Sequence, residues 1–165
     1  MELKYSANAG FFGMRRDRFT QYQPQRDLEE KIELVASVEG VTGVELKYPN
    51  DFADLKRVCE LLEKRDLQVS AVNVDIKDAE HFRHGALSAR SQTAREKVIG
   101  LLCEGMDLAA ELGTGLVTTC PLADGYDYPF QIDHGEAWGQ FIDSVARVVA
   151  HRRDVTLLLE YQPHE

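Results

Sequence analysis

Glu160 is the residue of this sequence that is best placed to do chemistry. It follows an apolar run at residues 155–159, and a short apolar run bounded by turn residues is typical of a strand buried on both faces. Parallel α/β sheets and barrels place their reactive groups at the carboxyl ends of such strands. The alternative for Glu160 is a strand-end acid that binds the N-terminus of a neighbouring helix.

Three further polar residues lie near the ends of two other predicted strands. Lys47 is close to the end of the strand at residues 43–48, where it could neutralise a phosphate or carboxylate, or could be a solvated lysine. Asn73 and Asp75 lie near the end of the strand at residues 68–76 and share one face, because side chains alternate along a strand. They could bind a polar ligand, or they could satisfy local backbone N–H groups in a turn.

Histidines and cysteines are weaker candidates. His81 and His84 lie in a charged connection, where histidines three residues apart are usually surface residues rather than metal ligands. Cys120 has no evident histidine partner in the sequence and is interpreted as a small buried hydrophobe. Together with Cys59 and Cys103 it makes an odd number of widely spaced cysteines, which favours reduced thiols in the cytoplasm over a disulfide framework.

Composition excludes several classes of function. The chain has 165 residues, of which 44% are hydrophobic and 28% are charged, as in an ordinary soluble globular domain. Its net charge of −9 argues against a nucleic-acid partner, because binding to phosphates depends on clustered Lys and Arg. No apolar run approaches the roughly 18 residues that indicate a membrane helix. We therefore expect a cytoplasmic protein with neither a nucleic-acid nor a membrane partner.

Strand and helix patterns alternate along the chain. The strands are predicted at residues 3–7, 43–48, 68–76, 115–120 and 155–160. Four amphipathic helices lie between them; Asp27 and Glu30 form a capping-box pattern at the first, and Asn50 or Asp51 is expected to cap the second. Alternation of this kind predicts a parallel sheet covered by helices.

Two closures of this sheet are open at this point, a doubly wound open sheet and the first part of an eight-stranded barrel. Length favours the open sheet, because a barrel takes about 250 residues. The connections favour the barrel, since those after strands one, three and four are long and those after the helices are short. No Gly-x-Gly-x-x-Gly or Gly-x-x-x-x-Gly-Lys-Ser/Thr motif follows a strand, which removes the usual reasons for an open nucleotide-binding sheet.

Three motifs in this order resemble the xylose-isomerase-like barrels, which include sugar isomerases, epimerases and endonuclease-IV-type enzymes. They are Gly43-Val44-Glu45-Leu46, Met106-Asp107-Leu108-Ala109-Ala110-Glu111-Leu112-Gly113 and Leu159-Glu160-Tyr161-Gln162-Pro163-His164-Glu165. The last is similar to the family's fifth-strand motif, which begins with a metal-binding Glu and ends in Pro-x-Glu. The resemblance implies that residues 1–165 are a single domain, the first five β/α units of a (β/α)8 TIM barrel.

The resemblance also implies roles for individual residues. Glu160 would bind a divalent metal (Mn, Mg or Co) and, in an epimerase, would also move a proton. Gln162 stands where aldose isomerases often keep a substrate-polarising Lys, and a neutral amide can bind a hydroxyl but supplies no positive charge. Asn73, Asp75 and Lys47 would contact a sugar or sugar phosphate. The remaining metal ligands are expected from strands six to eight, in sequence that is not present here.

The main hypothesis is therefore a divalent-metal-dependent sugar or sugar-phosphate isomerase or epimerase that acts through an enediolate or a hydride shift. One alternative is a metal-dependent phosphodiesterase or endonuclease on the same fold, which the net charge of −9 disfavours. The other is a non-catalytic half-barrel, because five strands leave unpaired sheet edges. The 165-residue chain is expected to be inactive alone, and either to form a homo-oligomer or to lack a C-terminal half.

Overall fold

The structure is a computed structural model of the chain, and it describes residues 3–16, 19–77, 82, 84–121, 124 and 130–160. The strands are β1 (Tyr5–Asn8), β2 (Arg15–Arg16), β3 (Gln21–Gln23), β4 (Val41–Tyr48), β5 (Gln68–Val74), β6 (Leu116–Thr119) and β7 (Thr156–Leu159). The helices are α1 (Leu28–Ala36), α2 (Leu55–Lys64), α3 (Gln92–Glu111) and α4 (His134–His151), with 3₁₀ turns at Ala9–Phe12 and Asn50–Phe52.

Five of the strands form one parallel sheet, in the order β1-β4-β5-β6-β7. The amino-acid sequence predicts these five strands and the α/β class, and the structure confirms both. β1 pairs with β4, and β6 with β7, in parallel register. β2 and β3 form a separate antiparallel pair, which the sequence did not predict because strands of two and three residues are too short to show an alternating pattern.

The chain divides into two compact units, Met1–Asn73 and Val74–Glu165. The first unit contains the strands β1 to β4, most of β5, and the helices α1 and α2. α1 begins with the predicted capping box, in which Asp27 accepts from the Glu30 N–H and Glu30 accepts from the Asp27 N–H, each at 2.9 Å. Ile32 on α1 and Val44 on β4 are fully buried, and burial of each such side chain contributes roughly 1.5–3 kcal/mol.

Asp51 links two elements of the first unit. Its Oδ1 lies 2.5 Å from Nζ of Lys31 on α1, and its Oδ2 accepts the backbone N–H of Lys47 on β4 at 2.9 Å. The side chain of Lys31 is 14% exposed and that of Asp51 is 8% exposed. Because both carboxylate oxygens are used in this way, Asp51 does not cap the second helix. The predicted cap, Asn50 or Asp51, was wrong: Asp54 accepts from the Arg57 N–H instead.

The second unit is built on α3 and α4, with the end of β5 and the strands β6 and β7. Gly105 on α3 lies against Val74, the last residue of β5, so closely that an added Cβ would be 2.4 Å from Val74 Cγ2. The hydroxyl of the fully buried Thr119 donates to the backbone oxygen of Val74 at 2.9 Å. Glycine at position 105 therefore lets the helix approach the strand end directly.

Charged pairs join α3 to α4 on the surface of the second unit. Both terminal nitrogens of Arg147 donate to the carboxylate of Glu96, at 2.8 and 2.6 Å. The ring of His151 lies 3.0 Å from Asp107, which also accepts from Arg152 at 3.3 Å. These hydrogen bonds, that of His151 first, lower the pKa of Asp107 below its usual range.

The second unit also carries what we call its exposed apolar surface, which consists of Trp138, Ile142 and Val149 on α4 with Leu158 and Leu159 on β7. The exposed fractions are 64%, 50%, 43%, 46% and 39%, in that order. The opposite side of α4 is buried. A helix with apolar side chains on two sides and a strand with apolar side chains on both faces are each typical of elements that are covered on both sides.

No helix among the residues that the structure describes combines the length and the apolar composition of a membrane span. The single-domain organisation predicted for residues 1–165 stays a prediction.

Candidate functional site

Three polar side chains from three strands of the first unit meet in what we call the Glu45 cluster, which consists of Asn8, Glu45 and Asn73. The amide nitrogen of Asn8, at the end of β1, donates to Glu45 Oε1 at 2.9 Å. The amide nitrogen of Asn73, on β5, donates to the same oxygen at 2.8 Å. All three residues are half-buried, so the cluster is a polar surface that a hydroxyl-bearing ligand could contact.

The orientation of Asn8 is set by the turn that follows β1. Its Oδ1 accepts the backbone N–H of Gly10 at 2.8 Å, and this leaves its NH₂ group to face Glu45. A Cβ at Gly10 would lie 2.8 Å from that oxygen and 3.1 Å from Cε of Lys47. A side chain at position 10 would therefore push the side chains of Asn8 and Lys47 out of these positions.

Lys47 follows Glu45 by two residues on β4 and so lies on the same face of the strand. Its side chain is half-buried and passes close to Gly10. The structure thus brings two of the predicted site residues, Asn73 and Lys47, to the surroundings of one carboxylate. Together they offer amide, ammonium and carboxylate groups, which can bind hydroxyl and anionic groups of a small polar molecule.

A second polar contact lies on the same strands. The hydroxyl oxygens of Ser6 on β1 and Ser70 on β5 are 2.5 Å apart. Between them β4 carries Gly43, where an added Cβ would lie 3.2 Å from the Cβ atoms of both serines. The absence of a side chain at position 43 therefore lets the two serines meet.

Asp75 follows the Glu45 cluster in sequence and belongs to the second unit. Its Oδ1 accepts the backbone N–H of Lys77 at 3.1 Å, which is the local turn interaction that the sequence left open as an alternative. Its role in substrate binding stays a prediction.

Glu160 directly follows β7. Its backbone N–H donates to the backbone oxygen of Thr119 at 2.8 Å, and this bond extends the parallel pairing of β6 with β7 by one residue. The residue is exposed. The structure therefore puts the carboxylate at the carboxyl end of a parallel strand, where the sequence predicts it.

The described residues do not by themselves make a metal site. Among residues 3–16, 19–77, 82, 84–121, 124 and 130–160, no group of three or more His, Cys, Asp or Glu side chains could hold an ion. A single carboxylate at Glu160 does not suffice, because divalent cations such as Mg²⁺ and Ca²⁺ take six or more ligands. Gln162 lies outside the described residues, so its predicted role is a prediction still.

Glu45 belongs to one of the sequence motifs described above, but the sequence did not predict it as a site residue. A signal for it exists. Side chains on β4 alternate, so that Val44 and Leu46 are fully buried while Gly43, Glu45 and Lys47 occupy the other face. A charged residue in the middle of a strand, on the same face as a glycine and a lysine, indicates a polar inner surface.

Comparison with known families matches this chain to one of them over most of its length. The match covers residues 32–165, and the description of the family is a xylose isomerase-like TIM barrel. The chain belongs to this family. Membership confirms the predicted resemblance and the predicted closure as part of a barrel rather than a doubly wound open sheet. No significant match is found among curated proteins.

Three solved structures share the fold of this chain. An L-ribulose 3-epimerase is 18% identical with a TM-score of 0.66; the alignment covers 96% of this chain and 49% of that one. D-Psicose 3-epimerase from Clostridium cellulolyticum H10 is 19% identical with a TM-score of 0.67, over 95% and 52%. Mannonate dehydratase from Streptococcus suis serotype 2 is 10% identical with a TM-score of 0.57, over 96% and 53%. The chain thus spans about half the length of these proteins.

Proposed function

We propose that this chain is the substrate-binding part of a sugar or sugar-phosphate isomerase or epimerase. The observation that carries the proposal is the position of Glu160, which places a carboxylate at the carboxyl end of a parallel strand in this family's fold. The solved relatives that support it are an L-ribulose 3-epimerase and a D-psicose 3-epimerase, the latter determined with D-tagatose.

Glu160 would act as the base. It would take the proton from the carbon that lies between a carbonyl and a hydroxyl group, while the C–H electron pair forms the double bond of an enediolate and the carbonyl pair moves to oxygen. Return of the proton to the adjacent carbon, with transfer of the hydroxyl proton to the former carbonyl oxygen, gives the isomer. Return to the opposite face of the same carbon gives the epimer, which requires a second acid from outside the described residues. In a hydride shift, the hydrogen would instead move with its electron pair.

The Glu45 cluster would bind hydroxyl groups of the sugar. Glu45 accepts hydrogen bonds, and the amides of Asn8 and Asn73 hold its carboxylate in one orientation. Lys47 would bind the phosphate of a sugar phosphate or an oxygen of the sugar. Gln162 and Asp75 would contribute further hydrogen bonds to hydroxyls.

A divalent metal belongs to this proposal only with ligands from other polypeptide. Such an ion, when bound, polarises a carbonyl oxygen, and Glu160 would be one of its ligands. The described residues supply no cluster of further metal ligands. We accordingly propose that the 165-residue chain is inactive alone and acts with a second half, or as a homo-oligomer. The cytoplasmic location is a prediction of the sequence.

The experiment is a deuterium exchange assay on fructose, tagatose, psicose, glucose and ribose in D₂O, with Mn²⁺, Mg²⁺ or Co²⁺ added. Because the chain is proposed to be inactive alone, the assay is run up to protein concentrations at which a homo-oligomer forms. In that assembly, proton abstraction by Glu160 predicts that deuterium enters the sugar at the carbon next to the carbonyl. Glu160→Ala is expected to abolish this exchange, whereas Glu63→Ala, which removes an exposed carboxylate on α2, should leave it unchanged. Interconversion of the sugars without deuterium uptake would indicate a hydride shift.

Sugar binding tests the proposal where turnover is absent. Saturation-transfer NMR should detect binding of a ketose to the wild-type chain and weaker binding to Asn73→Ala. If Glu160→Ala keeps both metal binding and turnover, the role of Glu160 is wrong. If the wild-type chain neither binds nor converts any of the sugars, the non-catalytic half-barrel becomes the better reading.

The metal-dependent phosphodiesterase is the remaining alternative. It would need a basic groove for phosphates, and the net charge of −9 disfavours it. Hydrolysis of bis(p-nitrophenyl) phosphate by the wild-type chain with Mn²⁺ would support this alternative over an isomerase.

A further inference from the structure

The second unit contains a cavity that shares no residue with the Glu45 cluster or with Glu160. Its volume is about 240 Å³, and the side chains that matter for binding are Ser88, Asp124, His134, Trp138 and Phe141. A cavity of about 150 Å³ is enough for benzene. This one therefore has room for one ring with a short substituent.

One wall of the cavity is aromatic. The rings of Trp138 and Phe141 are stacked, with centroids 5.7 Å apart and planes inclined by 10°. The face of an aromatic ring packs against apolar groups and, because it carries partial negative charge, also attracts cations.

The polar group of the cavity is the carboxylate of Asp124. Its Oδ1 accepts three hydrogen bonds, from the N–H of Ala86 at 2.9 Å and from the N–H and hydroxyl of Ser88 at 2.6 and 2.7 Å. Its Oδ2 is buried and has no hydrogen-bond partner in the part of the chain described. A buried acceptor without a donor is unfavourable. Because Asp124 lines the cavity, a donor bound there would supply the hydrogen bond that this oxygen lacks.

The carboxylate of Asp124 on the wall of the cavity favours a cation. The N-terminal end of α4 would by itself favour an anion, but Asp133 already accepts from the Glu136 N–H at 3.0 Å. These backbone hydrogen bonds lower the pKa of Asp133 below its usual range and keep its carboxylate charged. The net charge of −9 attracts cations to the chain as a whole.

We propose that this cavity binds a small organic ammonium ion, whose N–H group pairs with Asp124 Oδ2 and whose apolar body lies against Trp138 and Phe141. This site is separate from the proposed isomerase chemistry, and its test does not depend on sugar turnover.

The test uses Trp138, the single tryptophan of the chain, whose fluorescence reports on this wall of the cavity. The chain is kept at a concentration at which it is monomeric, because Trp138 also belongs to the exposed apolar surface. The full chain is titrated with benzylammonium, with benzyl alcohol, which keeps a donor but not the charge, and with toluene, which has neither. Benzylammonium is expected to shift the Trp138 emission at the lowest concentration, and toluene at the highest or not at all. Equal binding of toluene and benzylammonium, or an emission that none of the three changes, would overturn the proposal.

A pair of variants locates the charge. Asp124→Asn should weaken benzylammonium binding roughly ten- to a hundredfold, as expected for the loss of a charged hydrogen bond, and should change benzyl alcohol binding about twofold at most. Asp143→Asn removes an exposed carboxylate from the same helix as Trp138 and should leave both unchanged. Unchanged benzylammonium binding in Asp124→Asn contradicts the proposal.

Circular dichroism shows whether Asp124→Asn folds, since Asp124 also holds the backbone of Ala86 and Ser88. If it does not fold, Phe141→Ala decides instead. Loss of the ring should weaken benzylammonium and benzyl alcohol by similar factors, and undiminished binding of both would place the ligand outside this cavity.

Discussion

At the scale of single residues, Glu45 accepts two amide hydrogen bonds on one oxygen, and neither donor comes from its own strand. Asn8 and Asn73 are 37 and 28 residues away from Glu45 in the sequence. No local sequence pattern therefore predicts their hydrogen bonds to Glu45. The sequence could predict that Asn73 and Lys47 lie near strand ends. It could not predict that Glu45 joins them, because that depends on how three strands are aligned in the sheet.

Glu45→Gln is expected to lower the free energy of unfolding by about 1–3 kcal/mol, because hydrogen bonds to a charged acceptor are replaced by weaker ones to an amide. Chemical denaturation with urea measures the change. Glu39→Gln, at an exposed position in the turn before β4, should change the stability by less than about 0.5 kcal/mol. Equal effects of the two variants would show that the cluster adds nothing to stability.

Asp107 should titrate below the usual carboxylate pKa of about 3.9, because His151 and then Arg152 stabilise its charged form. A carboxylate with a lowered pKa in the folded state stabilises the fold above the unfolded-state value, and this contribution is lost as the pH falls through the lowered pKa. The effect on stability is small, because the pair is exposed to solvent. Carboxyl NMR shifts measure the pKa, and His151→Ala should raise it. An unchanged value in that variant would contradict the assigned cause.

At the scale of elements, most of the β/α order follows from the sequence because apolar periodicity marks buried strands and helices. The exceptions have physical causes. Asp51 could not be recognised as a ligand of Lys31 and of the Lys47 N–H, so it was interpreted as a helix cap, a role that Asp54 fills. A cap and an internal ion pair use the same residue type, and only the fold distinguishes them.

The approach of α3 to β5 predicts opposite effects at two glycines of one helix. Gly105→Ala should destabilise the protein by about 1–3 kcal/mol, because the added Cβ would be 2.4 Å from the buried, stiff side chain of Val74. At Gly100 nothing lies within 4 Å of an added Cβ. Gly100→Ala should therefore stabilise the helix by about 0.5–1 kcal/mol. Thermal unfolding measures both changes, and a neutral Gly105→Ala would show that α3 can move away from the strand.

At the scale of the whole molecule, family membership and the matched lengths fit a chain that carries about half of a barrel. The chain covers 49–53% of the solved relatives reported above. The exposed apolar surface of the second unit is the side on which α4 and β7 have apolar groups without described cover. The sequence predicted the strand edge at β7; it did not show which apolar side chains of α4 would be exposed, because a helix with two apolar sides has no single buried face.

The exposed apolar surface predicts that the 165-residue chain associates with itself in solution, since exposed apolar side chains and an unpaired sheet edge both favour association. Light scattering coupled to gel filtration should give a mass that rises with concentration. Ile142→Lys should lower that mass toward the monomer value of 18.6 kDa. Ala53→Lys adds the same charge at an exposed position of the first unit, outside this surface, and should have a smaller effect. A monomeric wild-type chain at all concentrations would contradict the prediction.

The contact of Lys31 with Asp51 has a consequence for genetics. Leucine at either position alone leaves the charge of the other residue unpaired in a partly buried site. Each single mutant should therefore give a lower signal than wild type in a cellular folding reporter. Combined in one gene, Lys31→Leu and Asp51→Leu should largely rescue each other. Any growth defect that remains in the double mutant would then be due to the lost hydrogen bond from the Lys47 N–H to Asp51, which neither leucine can replace.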